Sequence, residues 1–66
     1  MANVVEEELS DLIYLYDEVN NLYLTTRNVH SAFPDVENCL TIIRNNLNES
    51  LSNCEDAISI VESRKE

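Results

Sequence analysis

The sequence contains no glycine, one proline and one histidine among its 66 residues. Without glycine the chain cannot form the sharp turn of an EF-hand calcium loop. His30 has no carboxylate three or four residues before it, so the Glu-x-x-His pairs of di-iron bundles are absent. There is also no Cys/His cluster of the kind that binds zinc. The sequence therefore predicts no metal site and no cofactor.

Cysteine is also scarce, with only Cys39 and Cys54 in the chain. If both lie on one helix, their Cα atoms are about 22 Å apart at 1.5 Å per residue, whereas a disulfide requires less than about 7 Å. An internal disulfide is thus excluded under this assumption, and free thiols are typical of a reducing compartment. We interpret both cysteines as small core residues.

Basic residues are few: four Lys and Arg stand against thirteen Asp and Glu, which gives a net charge of −9. This charge argues against binding to nucleic acid, which requires Lys and Arg at the phosphates, and against an anionic membrane surface. No apolar stretch reaches the roughly 18 residues of a membrane span, and the N-terminal segment is acidic where a signal peptide is basic. We expect an intracellular, cytoplasmic protein, with a nuclear location also open.

No residue pattern indicates catalysis. The acidic runs at 6–8 and 55–56 would be solvated on a narrow helical rod, whereas acid–base chemistry needs carboxylates whose pKa values are separated inside a cleft. We interpret His30 as a polar residue that closes the end of the seam, the line of contact between two packed helices, and that is hydrogen-bonded near Asp35 or Glu37. The sequence predicts no enzymatic activity and no catalytic residue.

Apolar residues recur at alternating steps of three and four on both sides of Pro34, which is the pattern of a coiled-coil heptad. The first set is Val5, Leu9, Leu12, Tyr16, Val19 and Tyr23, continued by Thr26 and His30. The second set is Val36, Leu40, Ile43, Leu47, Leu51, Cys54, Ile58 and Val61, with one irregular step, a stutter, between Leu47 and Leu51.

These two stripes predict an all-α fold, a two-helix antiparallel coiled-coil hairpin that forms a single domain over residues 1–66. Helix 1 is expected at about 4–31, the turn at about 32–34 and helix 2 at about 35–63. In the antiparallel register that aligns the stripes, Thr26 faces Leu40 and facing residue numbers total 66 or 67. The alternative is a three-helix bundle, because poor helix formers over residues 45–50 favour a break in helix 2.

The apolar stripe is wider than one partner helix can cover. Leu15, Leu22 and Val29 all fall at the heptad position called g, which flanks the seam. Further apolar residues lie off the seam on both helices, and Tyr14 is the large aromatic among them, a residue type enriched at binding hot spots. The candidate partner-binding residues are Ile13, Tyr14, Leu15, Leu22, Leu24, Val29, Cys39, Ile42 and Ile60.

A hairpin of this size shares a single seam between its helices, and short chains usually need a disulfide, a metal or a partner chain for stability. With the first two excluded, the sequence predicts a non-catalytic protein–protein interaction module, an adaptor or structural subunit of a larger complex. Its partner would be a coiled-coil chain or a second copy, assembled as anything from a dimer to a four-helix bundle. Two alternatives remain: an acidic inhibitor that mimics nucleic acid, of the kind phages and mobile elements carry, and a small chaperone for a partner's amphipathic helix.

Overall fold

The computed structural model describes the backbone of residues 2–64 and the side chains of residues 4–64. It contains two helices, α1 (Ala2–Thr26) and α2 (Pro34–Glu62), which pack against each other as a hairpin measuring 53 × 15 × 10 Å. No strand is present within residues 2–64. The all-α hairpin predicted from the two apolar stripes is confirmed.

Helix α2 runs without interruption through residues 45–50, so the three-helix alternative is wrong. Leu47 and Leu51, on either side of this run of poor helix formers, both remain at least half buried against α1. Packing of an apolar face therefore outweighs the weak helix propensity of the intervening Asn and Ser residues.

Helix α1 ends at Thr26, whereas the apolar pattern predicted a helix that continues to about residue 31. The hydroxyl groups of Thr25 and Thr26 donate to backbone carbonyls three or four residues earlier, at 3.0 and 2.6 Å. The guanidinium of Arg44, on α2, donates to the carbonyls of Thr26, at 3.1 Å, and of Val29. The Thr26 carbonyl also accepts the backbone N–H of Val29 at 3.2 Å, so Arg44 adds a second hydrogen bond there and, from the other helix of the hairpin, also bonds the Val29 carbonyl in the linker.

The start of α2 is organised by its own first residues. Pro34 occupies the beginning of the helix, where its missing N–H is not needed, and the preceding Phe33 is extended, with φ −94° and ψ 120°. The side chain of Glu37 accepts a hydrogen bond from the backbone N–H of Ser31 at 2.8 Å. This bond connects the linker between the helices, residues 27–33, to the first turn of α2. Asp35 and Glu37 also place negative charge at the positive end of the helix dipole.

The core of the hairpin is thin. Leu9, Cys54 and Val61 are the buried apolar residues among those described, and the rest of the seam is only partly covered. On α1 the seam follows the predicted heptad through Leu12, Tyr16, Val19, Tyr23 and Thr26, all of them half-buried. The prediction for α1 up to Thr26 therefore agrees with the burial in the structure.

On α2 the predicted seam is wrong near the linker. Val36 and Ile43 are exposed, and the half-buried positions are instead those of Glu37, Leu40 and Arg44. With Glu37 and Arg44 in the seam, the steps of three and four continue regularly to Leu47, and the predicted stutter disappears. The sequence pattern had followed the apolar residues, whereas the helix keeps its heptad period and accepts two charged residues that bond to each other and to the linker.

The contact of Arg44 with Thr26 also shifts the register at this end of the hairpin. The predicted pairing placed Leu40 opposite Thr26, but Arg44, one helical turn further along α2, reaches the Thr26 carbonyl. From this contact we infer a register in which facing residue numbers total about 70, and this register would bring the buried Leu9 level with the buried Val61. The first turns of α2 consequently extend past the end of α1, and the linker folds back beside them.

Candidate interaction surface

The hairpin has two distinct broad sides, on either side of the plane through the two helix axes. Both helices are right-handed and run in opposite directions, so the g positions of α1 lie on the same side as the g positions of α2. With the heptads observed here, the apolar residues at these positions are Leu15 and Leu22 on α1, and Val36 and Ile43 on α2. We call these four residues the apolar side; the g position one heptad before Leu15 holds the exposed Glu8.

All four side chains of the apolar side are half exposed in the isolated chain. The exposed fractions are 48% for Leu15, 53% for Leu22, 45% for Val36 and 43% for Ile43. Further along α2, the g positions hold the half-buried Ser50 and Ala57, whose side chains are small. On this side, leucine side chains on α1 therefore accompany small side chains on α2.

The apolar side forms a continuous strip along the axis of the hairpin. Leu15 and Leu22 are two turns apart on α1, about 10 Å, and so are Val36 and Ile43 on α2. In the register inferred from the contact between Arg44 and Thr26, Ile43 lies roughly 8 Å beyond Leu22 along the axis. The strip is therefore about 30 Å long, which is the length of a helix of about 20 residues.

The apolar side has one edge on α1 and one on α2, each formed by residues at heptad position c, and the two edges differ in charge. Along the α1 edge, at heptad position c, stand the exposed carboxylates of Asp11 and Glu18, one turn before and one turn after Leu15. The corresponding edge of α2 carries no acidic residue in its described part. Its residues are Cys39, Asn46, Asn53 and Ile60.

The nine residues predicted to bind a partner are all exposed, but they do not form one surface. Leu15 and Leu22 belong to the apolar side, and Cys39 and Ile60 border it on α2. Ile13 and Leu24 lie toward the opposite side of α1, whereas Tyr14 and Ile42 point away from the seam. Val29 lies in the linker, outside α1.

Sequence reasoning missed Val36 and Ile43, because it assigned both to the seam. A strict heptad counted back from Leu47 through Arg44 and Glu37 would have placed them at g. Cys39 also differs from its first interpretation: Cys54 is buried, but Cys39 is exposed and is not a core residue. The heptad places Cys39 on the outer face of α2, next to the apolar side.

A cluster of polar groups closes the linker end of the seam. Arg44 Nη1 lies 3.3 Å from Glu37 Oε2, and Glu37 Oε1 accepts the Ser31 N–H. The hydrogen bond from the Ser31 backbone lowers the pKa of Glu37, partial burial opposes this shift, and Arg44 adds to it. Each of these groups is occupied in holding the linker, so we assign the cluster to folding rather than to binding.

His30 is close to this cluster but is not part of the seam. Its Nδ1 atom lies 3.9 Å from Glu37 Oε1, beyond hydrogen-bond distance, and its side chain is 67% exposed. His30 lies near Glu37 as predicted, but the predicted hydrogen bond to it is not formed, and the predicted position as a plug in the seam is wrong. The reason is that α1 ends before His30, and Arg44 fills the place assigned to it.

Among residues 2–64, no group of three His, Cys, Asp or Glu side chains is arranged to hold a metal ion. Neither helix, over the residues described, is long and apolar enough to cross a membrane. Comparisons of the chain with protein-family models, with curated proteins and with solved structures found no match.

Proposed function

We propose that this hairpin is a non-catalytic interaction module that lays its apolar side against a helix of another chain, as an adaptor or structural subunit of a helical assembly. A cytoplasmic setting, with free thiols, belongs to the same proposal. Helix-on-helix packing is the expected mode, since the backbone groups of α1 and α2 are used within the helices and cannot pair with an added strand.

The observation that supports this proposal most strongly is the contrast between core and surface. Three apolar residues are buried within the described chain, whereas four apolar side chains on one side remain about half exposed. An apolar strip about 30 Å long, bordered by charge on one edge, is typical of a protein interface. A third helix on the apolar side would cover Leu15 and Leu22 on α1 and Ile43 on α2.

Two other functions were open from the sequence. An acidic decoy would present its carboxylates in regularly spaced rows, but the acidic edge of α1 runs beside leucines and the α2 edge is neutral. A chaperone for an amphipathic helix would use the same apolar side as the proposed module, and it differs only in releasing its partner later. Salt separates the decoy from the other two, because apolar packing persists at high ionic strength and charge mimicry does not.

Site-specific photo-crosslinking in cells that naturally make the protein tests the proposal. A photoreactive amino acid is placed at Leu15 or Leu22, on the apolar side, and in matched variants at Ile13 or Leu24 on the other side of α1. We expect covalent adducts with a second chain from Leu15 and Leu22, and none from the matched positions. Adducts from neither pair, or equal yields from both, would contradict the proposal.

A further inference from the structure

We propose that the chain covering the apolar side is a basic amphipathic helix of about 20 residues from a different protein, with Lys or Arg aligned on the α1 edge. This proposal rests on the proposed function and specifies the chemistry of the partner. It commits to a foreign helix in preference to a second copy of this chain.

The length of the partner follows from the strip. Leu15, Leu22, Ile43 and Val36 succeed one another over about 30 Å, and the small side chains of Ser50 and Ala57 let a helix approach α2 closely beside Leu15. A helix that spans the whole strip needs apolar residues at three- and four-residue steps on one face, repeated over about five to six turns.

The charge of the partner follows from the α1 edge. Asp11 and Glu18 are exposed and two turns apart on the flank of Leu15, and the exposed Glu8 lies in line with Leu15, two turns nearer the end of the hairpin opposite the linker. A helix lying on the apolar side brings its own flank beside these carboxylates. Lys or Arg at a spacing of seven residues on that flank would pair with Asp11 and Glu18, whereas Asp or Glu there would be repelled.

A second copy of the chain matches this edge poorly. In a symmetric dimer built on the apolar side, α1 packs either on the partner's α1 or on its α2. The first arrangement brings two acidic edges together, and the second places Asp11 and Glu18 against the uncharged edge formed by Cys39, Asn46 and Asn53. Neither arrangement supplies cations to the row, and each copy carries a net charge of −9.

The test uses three synthetic 21-residue peptides that share leucine at the a and d positions and carry Lys, Gln or Glu on the flanks. Binding of each labelled peptide to the purified chain is measured by fluorescence anisotropy at physiological salt. We expect the Lys peptide to bind most tightly, the Gln peptide more weakly and the Glu peptide weakest of all. Equal affinities for the Lys and Glu peptides would overturn the inference.

Two pairs of matched variants identify the residues of the hairpin that contact the bound peptide. The triple change E8Q/D11N/E18Q, which removes the two carboxylates of the α1 edge and the one in line with Leu15, should weaken binding of the Lys peptide about tenfold. The control E49Q/E55Q/D56N removes the same charge from α2 away from the apolar side and should leave it nearly unchanged. If both triple variants lose affinity equally, the attraction is a general effect of net charge and the inference fails.

The apolar contact is located in the same way. L15S/L22S should weaken binding on the order of 100-fold, since two leucines would be buried by the peptide, whereas I13S/L24S should retain affinity. All four substituted side chains are exposed, so helicity by circular dichroism should confirm that both variants fold. Equal losses would overturn the inference.

A different result would separate this inference from the proposed function. If the purified chain without peptide forms a dimer by light scattering, and L15S/L22S converts it to a monomer, then a second copy covers the apolar side. That outcome would overturn the basic-helix partner while supporting the interaction module. A monomer that binds none of the three peptides would also overturn the inference, and the crosslinking experiment would then decide the proposed function on its own.

Discussion

Replacing Arg44 by alanine should loosen the linker end of the hairpin. The guanidinium donates to the carbonyls of Thr26 and Val29 and occupies a seam position, with its side chain 18% exposed. Hydrogen bonds from a charged donor contribute about 1.5–3 kcal/mol each when buried, and we take about 1 kcal/mol each for these partly exposed ones. The expected loss in the free energy of unfolding is therefore about 2 kcal/mol.

Thermal unfolding followed by circular dichroism measures this loss, which corresponds to a fall in the melting temperature on the order of 10 °C for a domain of this size. Arg44→Lys should show an intermediate loss, because a single ammonium group does not reproduce the planar, forked geometry of the guanidinium. Arg64→Ala is the matched control, since it removes the same charge from an exposed position. If R44A and R64A unfold at the same temperature, the capping role assigned to Arg44 is wrong.

Two further predictions concern the same region. The pKa of Glu37 is lowered chiefly by the Ser31 N–H, so the folded chain binds fewer protons than the unfolded chain in the acid range. The stabilisation by Glu37 is therefore present at neutral pH and is lost as the pH falls through the pKa of Glu37 in the folded chain. The difference in unfolding free energy between the native chain and E37Q should shrink on acidification, and a constant difference would contradict this. Ile43→Ser should change the unfolding free energy by less than about 0.5 kcal/mol, whereas Leu47→Ala, in the half-buried seam, should lower it by about 2 kcal/mol. Unfolding in urea measures both changes. A larger loss for Ile43→Ser than for Leu47→Ala would show that Ile43 lies in the seam, as the sequence predicted.

The hairpin itself could be predicted from the sequence because most seam positions of α1 are apolar and Pro34 marks the start of α2. The seam of α2 near the linker could not be predicted in the same way. An apolar pattern favours Val36 and Ile43 over Glu37 and Arg44, since a charged residue in a seam normally carries a desolvation cost. Here that cost is offset by partners that exist only in the folded chain, namely the end of α1 and the linker backbone.

The end of α1 was misplaced for the same physical reason. Thr26 and His30 continued the three- and four-residue steps, and no glycine or proline marked a stop before Pro34. The end of α1 combines local hydrogen bonds, from the N–H groups of Asn28 and Val29, with a contact between residues 18 positions apart, from Arg44 to Thr26, which local propensity does not contain. The candidate surface was partly predictable, because Leu15 and Leu22 follow directly from the heptad, whereas Ile43 depends on the corrected seam.

Hydroxyl-radical footprinting of the protein in extracts of cells that naturally make it, compared with the purified chain at micromolar dilution, would test most directly whether another chain covers the apolar side. Side chains that are shielded by a bound helix react more slowly with the radical. We predict that Leu15, Leu22 and Ile43 are oxidised in the dilute chain and protected in the extract, with Ile13 and Leu24 equally reactive in both. Equal oxidation of Leu15 and Leu22 in the two samples would contradict the account.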